Sequence, residues 1–256
     1  AEYHLLSAIA FAIYRYVRQT GDEAFLFEKG AEVLFETARF FADRGAYVPL
    51  KGDRFCINAV CGPDEYGCAV NNNCYTNLLA RWHFRYAHAV YQRMRTERPN
   101  ELAKLAERIA LTDAEPAAWL DAAARMYAPY SDELGIHAQD DSFLYLDPVD
   151  MDLVPRNTDI RELKHPLNLW RMQVAKQADV VLLMFVLGDR FSVEQKRANY
   201  EYYEPRTCHG SSLSACIHSI VASEIGKPDD AYAYFRQSAG MDVNDFKNNT
   251  AAGVHS

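Results

Sequence analysis

The apolar residues of this sequence recur with the period of an α-helix. From Tyr3 to Gln19, apolar residues recur at three- and four-residue spacing, which places them on one stripe of a helix. The Thr20-Gly21-Asp22 turn then supplies a glycine that ends this helix and an aspartate that caps the next, which is predicted to run to Asp43. Because the loop is so short, we expect the two helices to pack as an antiparallel hairpin.

Helical patterns return along the rest of the chain, with long loops between them. A helix start is predicted at Thr112–Pro116, a loop-rich stretch at Gly135–Arg161 and a short extended segment at Ser142–Leu146. Residues 47–64 read as extended loop, and the remaining helices are predicted at residues 73–95, 100–110, 112–127, 173–187, 211–225 and 228–238. Long loops in a compact domain are usually functional. The pattern favours an all-α toroid of helical hairpins over a four-helix bundle.

Composition and charge exclude several functional classes. The 256 residues are 49% apolar, so a sizeable core can be buried. The net charge is −8 with acids and bases interspersed, which argues against nucleic acid or an anionic membrane as the main partner. No apolar run approaches the roughly 20 residues that a membrane-spanning helix needs.

The cysteines are predicted to be buried, reduced thiols of a cytoplasmic protein. They include no Cys-x-x-Cys pair, which argues against a zinc site and leads us to expect no metal. A chain of this length builds its own core without a disulfide framework. The residues are Cys56, Cys61, Cys68, Cys74, Cys208 and Cys216.

The segment Gly62-Pro63-Asp64-Glu65-Tyr66-Gly67, followed by Asn71-Asn72-Asn73 and Asn77, presents two carboxyl groups from a rigid turn. A neighbouring aromatic ring and several amides can raise the pKa of one carboxyl until it holds a proton near neutrality. Such a group can act as a general acid. The residues alone leave open a solvated Asp-Glu turn before an Asn-capped helix.

Two further segments carry polar groups at predicted helix starts. His209-Gly210-Ser211-Ser212 offers backbone N–H groups, two hydroxyls and an imidazole, which together suit an anion, although an ordinary Ser cap remains the alternative. Lys176-Gln177 stands near the start of an apolar helix and offers donors for sugar hydroxyls, with a solvated first turn as the alternative.

Taken together, these segments resemble glycoside hydrolase family 65, the maltose, trehalose, kojibiose and nigerose phosphorylases. The resemblance covers nearly the whole chain and is carried by GPDEY, NNNCYTN, KQADVV and HGSSLS. It implies a single catalytic domain over residues 1–256, part of an (α/α)6 barrel. It also implies that both ends were cut from a longer polypeptide, with a Trp-Asp sugar-binding element and two further domains outside this sequence.

The resemblance also implies roles for individual residues. Glu65 matches the general acid, and Lys176 and Gln177 match residues that hold the glucosyl unit. The loop that binds phosphate matches His209, Ser211 and Ser212. Inorganic phosphate is then a co-substrate, no cofactor is needed, and the full-length protein is expected to be a homodimer.

The expected reaction is inverting phosphorolysis of an α-linked glucose disaccharide to β-D-glucose 1-phosphate and a free sugar. Gly67 stands where many maltose and trehalose phosphorylases carry His, which favours a kojibiose- or nigerose-type substrate. The alternatives are a trehalase-like hydrolase, which would need Glu201 or Glu204 as a second carboxylate, and a non-catalytic sugar-binding fragment.

Overall fold

The computed structural model describes residues 2–246 and 248–254, without the side chain of Glu162, and most of these residues are helical. The chain divides into two compact units. The first consists of the chain up to Val60 together with Ala69–Ala128, and the second consists of Cys61–Cys68 together with the chain from Pro129 onward.

The first unit is built from helices around one apolar core. The helices are α1 (His4–Thr20), α2 (Glu23–Phe25), α3 (Ala31–Arg44), α4 (Cys74–Glu97), α5 (Pro99–Ile109) and α6 (Glu115–Arg125). A single π turn, Leu26–Gly30, joins α2 to α3. Helix α4 packs against α1, α3 and α6, and buries Phe84 and Met94 among core residues such as Phe35 and Trp119.

The predicted caps of the first hairpin are confirmed. Gly21 ends α1 in the left-handed conformation, with φ 70°, and its N–H bonds to the carbonyl of Val17. The Asp22 side chain accepts a hydrogen bond from Phe25 N and so begins α2. After α3, strands β1 (Ala46–Val48) and β2 (Arg54–Cys56) pair antiparallel around the 3-10 turn Pro49–Lys51.

The second unit combines helices with long loops that carry short 3-10 turns. Its helices are α7 (Pro166–Leu169), α8 (Asp179–Val186), α9 (Val193–Tyr203), α10 (Ser212–Glu224) and α11 (Pro228–Ala239). Strands β3 (Tyr130–Ser131) and β4 (Ile136–His137) form a small antiparallel pair. The 3-10 turns are Phe143–Tyr145, Met151–Leu153, Ile160–Glu162, Gly188–Arg190, Glu204–Arg206 and Thr250–Ala252. Helix α10 packs against α8, α9 and α11.

Two predictions in the second unit are wrong. Ser142–Leu146 contains a 3-10 turn rather than an extended segment, because the Asp140 carboxylate accepts the N–H groups of Ser142 and Phe143 and curls the chain. The helix predicted from residue 173 begins only at Asp179. Residues 173–178 lie in irregular structure, where Gln173 and Ala175 bond to the backbone of other segments.

Helix α9 was not predicted from the sequence. It lacks an apolar stripe, since its buried residues include Lys196 and Asn199. Lys196 is accommodated because its ammonium group contacts the Glu224 carboxylate at 2.6 Å. The capping box of Ser192 and Gln195 was the available signal for its start.

None of the helices in the described part of the chain combines the length and the apolar character needed to cross a bilayer. The same residues include no cluster of three or more His, Cys, Asp or Glu side chains that could hold a metal ion. Of the cysteines, Cys68 is exposed and Cys216 is half-buried, so the prediction of buried thiols is wrong for these two; the other four are buried.

Candidate active site

Asp64 anchors the turn that presents Glu65. Its side chain is buried, and one carboxylate oxygen accepts the backbone N–H groups of Tyr66 at 3.2 Å and Lys176 at 2.9 Å. The other oxygen accepts the Gln139 amide at 2.9 Å. The backbone N–H of Asp64 in turn donates to the carboxylate of Asp179, the first residue of α8. The turn is therefore fixed from both sides by side chains of the same unit.

Lys176 connects the Glu65 turn to the loop before α10. Its N–H donates to Asp64, and its carbonyl accepts the N–H of Gly210 at 3.2 Å. Its ammonium group lies 3.1 Å from a carboxylate oxygen of Glu65. Three of the segments singled out in the sequence thus meet at one residue.

Glu65 lies between two cations. Its second carboxylate oxygen is 2.5 Å from the guanidinium of Arg161. Burial raises the pKa of Glu65, but the hydrogen bonds and charges of Lys176 and Arg161 outweigh it and hold the pKa below its usual value. In this arrangement Glu65 is ionised at neutral pH.

The carboxyl with the raised pKa is Asp64, not Glu65. Burial raises the pKa of Asp64 to about 6, against the lowering effect of the hydrogen bonds from Lys176, Gln139 and Tyr66. The turn was expected to raise the pKa of one carboxyl group. That group is Asp64, the neighbour of the predicted acid Glu65. Within the first unit, Asn72 accepts Ile57 N and Asn77 donates to the carbonyl of Tyr127.

Tyr66 and Asp159 position the cations. The Tyr66 hydroxyl donates to the Asp159 carboxylate at 3.1 Å and accepts the N–H of Ile160 at 2.8 Å. Asp159 in turn contacts Lys176 at 3.1 Å and Arg161 at 2.5 Å. Burial raises the pKa of Asp159, yet the bonds from Arg161 and Lys176 outweigh it and leave the pKa well below the usual range. Asp159 therefore stays ionised and shares both cations with Glu65.

Gln177 binds the turn rather than pointing to an open helix surface. Its amide donates to the carbonyl of Pro63 at 2.6 Å. Lys176 and Gln177 both precede α8, so the prediction that they lie within the start of a helix is wrong, although their closeness to Glu65 fits a shared site.

His209 sits in the predicted phosphate loop with both ring nitrogens bonded to protein groups. Nδ1 is 2.9 Å from the Ser214 hydroxyl, and Nε2 is 2.9 Å from the Tyr234 hydroxyl. Because Tyr234 donates its proton to Glu204 at 2.6 Å, the network assigns the ring proton of His209 to Nε2. Burial lowers the pKa of His209, partly offset by Glu204, so the ring is neutral at pH 7. Its direct contact with phosphate stays a prediction.

Ser211 and Ser212 stand at the start of the 13-residue helix α10. The Ser211 hydroxyl caps the helix by accepting Leu213 N at 3.2 Å, and Ser212 is the first helical residue. Helix N-termini leave backbone N–H groups that favour anions. Gly210 is required here, because a Cβ atom at this position would lie 2.6 Å from the carbonyl oxygen of Thr158.

Glu204 and Glu201, the alternative second carboxylates, are both engaged. His209, whose Nε2 lies 3.9 Å from a Glu204 carboxylate oxygen, is the main cause that lowers the pKa of Glu204 to about 2, with Tyr234 and Arg156 contributing, and burial opposes it. Glu201 lies 3.3 Å from the ammonium of Lys227. The pKa of Glu204 is thus lowered rather than raised towards neutrality.

Sequence reasoning missed Asp159, Arg161 and Tyr234. The first two lie in the loop-rich stretch that was expected to be functional, but spacing gave no sign that they approach Glu65. Tyr234 belongs to an ordinary amphipathic helix, α11, and no signal in the sequence links it to His209.

The sequence of this chain matches a known family and several curated proteins. The glycosyl hydrolase family 65 central catalytic domain model matches residues 1–256. An alpha,alpha-trehalose phosphorylase from Thermoanaerobacter brockii is 48% identical over 100% of this chain and 33% of the relative. A kojibiose phosphorylase from Halothermothrix orenii is 39% identical over the same shares of the two chains. The chain spans about a third of the length of the curated relatives that it matches.

The chain also matches a solved structure of a protein assigned to the same kind of phosphorylase. It is assigned as a kojibiose phosphorylase from the human microbiome, and it matches with a TM-score of 0.88 and 34% identity over 98% of this chain and 34% of that chain. The all-α fold class predicted from the sequence is confirmed by the helices of the described residues and by this match, which agrees with a fragment of a helical barrel.

Proposed function

Because this chain belongs to glycosyl hydrolase family 65, we propose that it performs inverting phosphorolysis of an α-linked glucose disaccharide. The products are β-D-glucose 1-phosphate and a free sugar. The match over residues 1–256 supports our prediction that these residues belong to one catalytic domain. The proposal includes inorganic phosphate as co-substrate, no cofactor, and a cytoplasmic homodimer.

The observation that carries the proposal is the position of Lys176. Its ammonium group contacts Glu65, and its carbonyl accepts the N–H of Gly210. A proton donor and an anion-binding helix start are therefore joined through one residue of the same unit. Inverting phosphorolysis needs a proton donor and a phosphate site that lie on opposite sides of the same glycosidic bond.

Glu65 is proposed to protonate the glycosidic oxygen. Phosphate is proposed to bind the backbone and hydroxyl groups of Ser211 and Ser212, next to His209. It attacks the anomeric carbon from the face opposite to Glu65. Since phosphate is already an anion, no second carboxylate is needed to activate water. Lys176 and Gln177 are proposed to hold the glucosyl unit.

Glu65 must gain a proton before it can act as an acid. Lys176 and Arg161 oppose this as long as both contact its carboxylate. Phosphate is an anion at neutral pH and competes for the same two cations. We therefore propose that phosphate binding draws these cations away from Glu65 and raises its pKa, which makes the acid available only when the nucleophile is bound.

The hydrolase alternative receives less support. An inverting hydrolase needs a carboxylate base free to accept a proton from water. Glu204 is bonded to Tyr234 and lies 3.6 Å from Arg156, and Glu201 pairs with Lys227. These engagements favour phosphate over water as the nucleophile.

The glucosidic linkage is the finer part of the proposal. Gly67 favours a kojibiose- or nigerose-type substrate, whereas the 48% and 44% identical relatives are trehalose phosphorylases. An assay therefore has to include trehalose, kojibiose, nigerose and maltose.

The test uses the complete polypeptide that carries this chain, with each disaccharide in the presence and absence of inorganic phosphate. We expect phosphate-dependent formation of β-D-glucose 1-phosphate, with Glu65→Gln lowering kcat by about 10²–10⁴-fold. Glu133→Gln, an exposed acid of the same unit, is the matched control and should leave kcat unchanged. Free glucose released equally fast without phosphate, or a Glu65→Gln variant as fast as wild type, would overturn the proposal.

A further inference from the structure

We propose that Cys61 and Cys68 form a reversible disulfide that closes the turn carrying Glu65 and slows the enzyme. The effect on turnover rests on the proposed function of Glu65. The formation of the bond does not, because it depends only on the two thiols and their surroundings.

The two cysteines flank the Gly62–Gly67 turn, one on each side. Their sulfur atoms are 3.4 Å apart. The adjoining residues Val60 and Val70 exchange two backbone hydrogen bonds of 2.9 and 3.0 Å, so the chain entering the turn and the chain leaving it are held side by side. A disulfide needs the sulfur atoms at about 2.05 Å, which requires only a small approach from their present separation.

The exposure of the two thiols suits a two-step exchange. Cys68 is exposed, while Cys61 is buried with 6% of its surface accessible. An exposed thiol can be reached by a small disulfide in solution, and a buried neighbour can then resolve the mixed disulfide.

The other cysteines lack this arrangement. Cys208 is buried and its sulfur contacts the Tyr66 hydroxyl at 3.5 Å, and Cys216 bonds to the carbonyl of Leu213 within its own helix. Among all six thiols, Cys68 is the exposed one.

Cys68 also contacts the backbone of Glu65. Its thiol donates to the Glu65 carbonyl at 3.6 Å. In a disulfide this donor is lost, because the sulfur bonds to Cys61 instead. The loss of this hydrogen bond affects the backbone of Glu65, whose carboxylate lies 3.1 Å from the ammonium group of Lys176.

The chemistry is thiol–disulfide exchange with a low-molecular-weight disulfide such as oxidised glutathione. The Cys68 thiolate attacks one sulfur of glutathione disulfide and releases one glutathione. The Cys61 thiolate then attacks the Cys68 sulfur and releases the second glutathione. Both cysteines are oxidised, one glutathione disulfide is reduced to two thiols, and the two cysteine protons pass to solvent or to the released thiolates.

The expected consequence is a loss of turnover. Displacing a catalytic group by 1 Å can cost about 10²-fold in rate. Closing the 3.4 Å separation to about 2.05 Å moves the two sulfur atoms together by a comparable distance and strains the turn between them, so we expect the oxidised enzyme to be at least about tenfold slower. Dithiothreitol should restore the rate.

The experiment exposes the complete polypeptide to oxidised glutathione and then to dithiothreitol. Chymotryptic cleavage after Tyr66 places Cys61 and Cys68 on separate peptides, so mass spectrometry finds them joined only if the disulfide has formed. Activity is expressed as the ratio of oxidised to reduced enzyme for each variant. Cys68→Ser should keep a ratio near one, since serine cannot form the bond, whereas the control Cys216→Ser should respond like wild type.

Two outcomes would overturn the proposal. One is the absence of linked peptides after oxidation of the wild type. The other is a Cys68→Ser variant that loses activity to the same extent as wild type. If the linked peptides form but the reduced enzyme has no phosphorolytic activity, the proposed function fails while the disulfide stands.

Discussion

The backbone N–H of Lys176 donates to the buried Asp64 carboxylate at 2.9 Å, so the residue before Glu65 binds the residue whose ammonium group reaches Glu65. This closed path, from Glu65 through the peptide bond to Asp64 and back through Lys176, fixes the distance between the proposed acid and its cation. Asp64 is buried and both of its carboxylate oxygens accept hydrogen bonds from protein groups, so we regard it as a positioning residue.

Replacing Asp64 tests this path. Asp64→Ala removes the acceptor of two backbone N–H groups and the Gln139 amide, so these buried donors lose this partner. We expect a loss of about 1–3 kcal/mol in stability and a fall in kcat of about 10²-fold. Asp64→Asn retains an acceptor oxygen at the same place and should recover most of kcat. Steady-state kinetics and thermal unfolding of the two variants provide the measurement.

Asp140→Ala is the matched control for this experiment. Asp140 is also buried and its carboxylate also accepts backbone N–H groups, from Ser142 and Phe143, within the same unit. It should lose stability to a similar extent while kcat of the folded enzyme stays close to wild type. An equal fall in kcat for Asp140→Ala would mean that the loss reflects stability rather than position.

The raised pKa of Asp64 predicts a pH dependence of stability. Its pKa of about 6 in the folded chain lies above the ordinary value of 3.8. Between these values the folded chain holds a proton that the unfolded chain has lost, so this contribution is fully present below the lower value and lost as pH rises through the higher one. Relative to Asp64→Asn, which does not titrate, wild type should lose about 1–3 kcal/mol of unfolding free energy between about pH 4 and pH 7. Denaturant titrations across this range measure it, and a difference independent of pH would contradict the assignment.

Arg161 is predicted to set the alkaline limit of activity. Its guanidinium lowers the pKa of Glu65, so Arg161→Gln should raise that pKa. A general acid works only while protonated, and the descending limb of kcat/KM against pH should therefore move to higher pH in the variant. The phosphate KM should rise as well if Arg161 also attracts phosphate. Arg171→Gln, which removes a surface arginine paired with Asp147, is the control and should leave the limb in place.

The helical framework was accessible from the sequence because local rules decide it. Gly21 and Asp22 act as predicted, and the starts of α4, α10 and α11 lie within one residue of the predicted positions. Periodicity failed where tertiary contacts replace an apolar stripe. Helix α9 buries Lys196 through its pair with Glu224, a partner 28 residues away that no local pattern reveals.

The candidate site was accessible only through its motif residues. Glu65, Lys176 and Gln177 were named from the sequence, and the structure brings them together through Asp64 and Pro63. The electrostatics were not accessible, because they depend on long-range neighbours. The turn was expected to raise the pKa of its acid, yet Lys176 and Arg161, 111 and 96 positions further along the chain, together reverse this at Glu65.

Tyr234 gives a last prediction, on the phosphate loop. Its hydroxyl accepts from His209 and donates to Glu204, so Tyr234→Phe leaves the buried His209 and the half-buried Glu204 without this partner. We expect the KM for phosphate to rise by about three- to tenfold, with the KM for disaccharide unchanged, because one lost hydrogen bond costs about 1 kcal/mol. Tyr232→Phe is the control, since that side chain is exposed on the same helix. Initial rates at varied phosphate and at varied disaccharide give the two KM values separately. Equal rises in both KM values would show that Tyr234 supports the whole site rather than the phosphate loop.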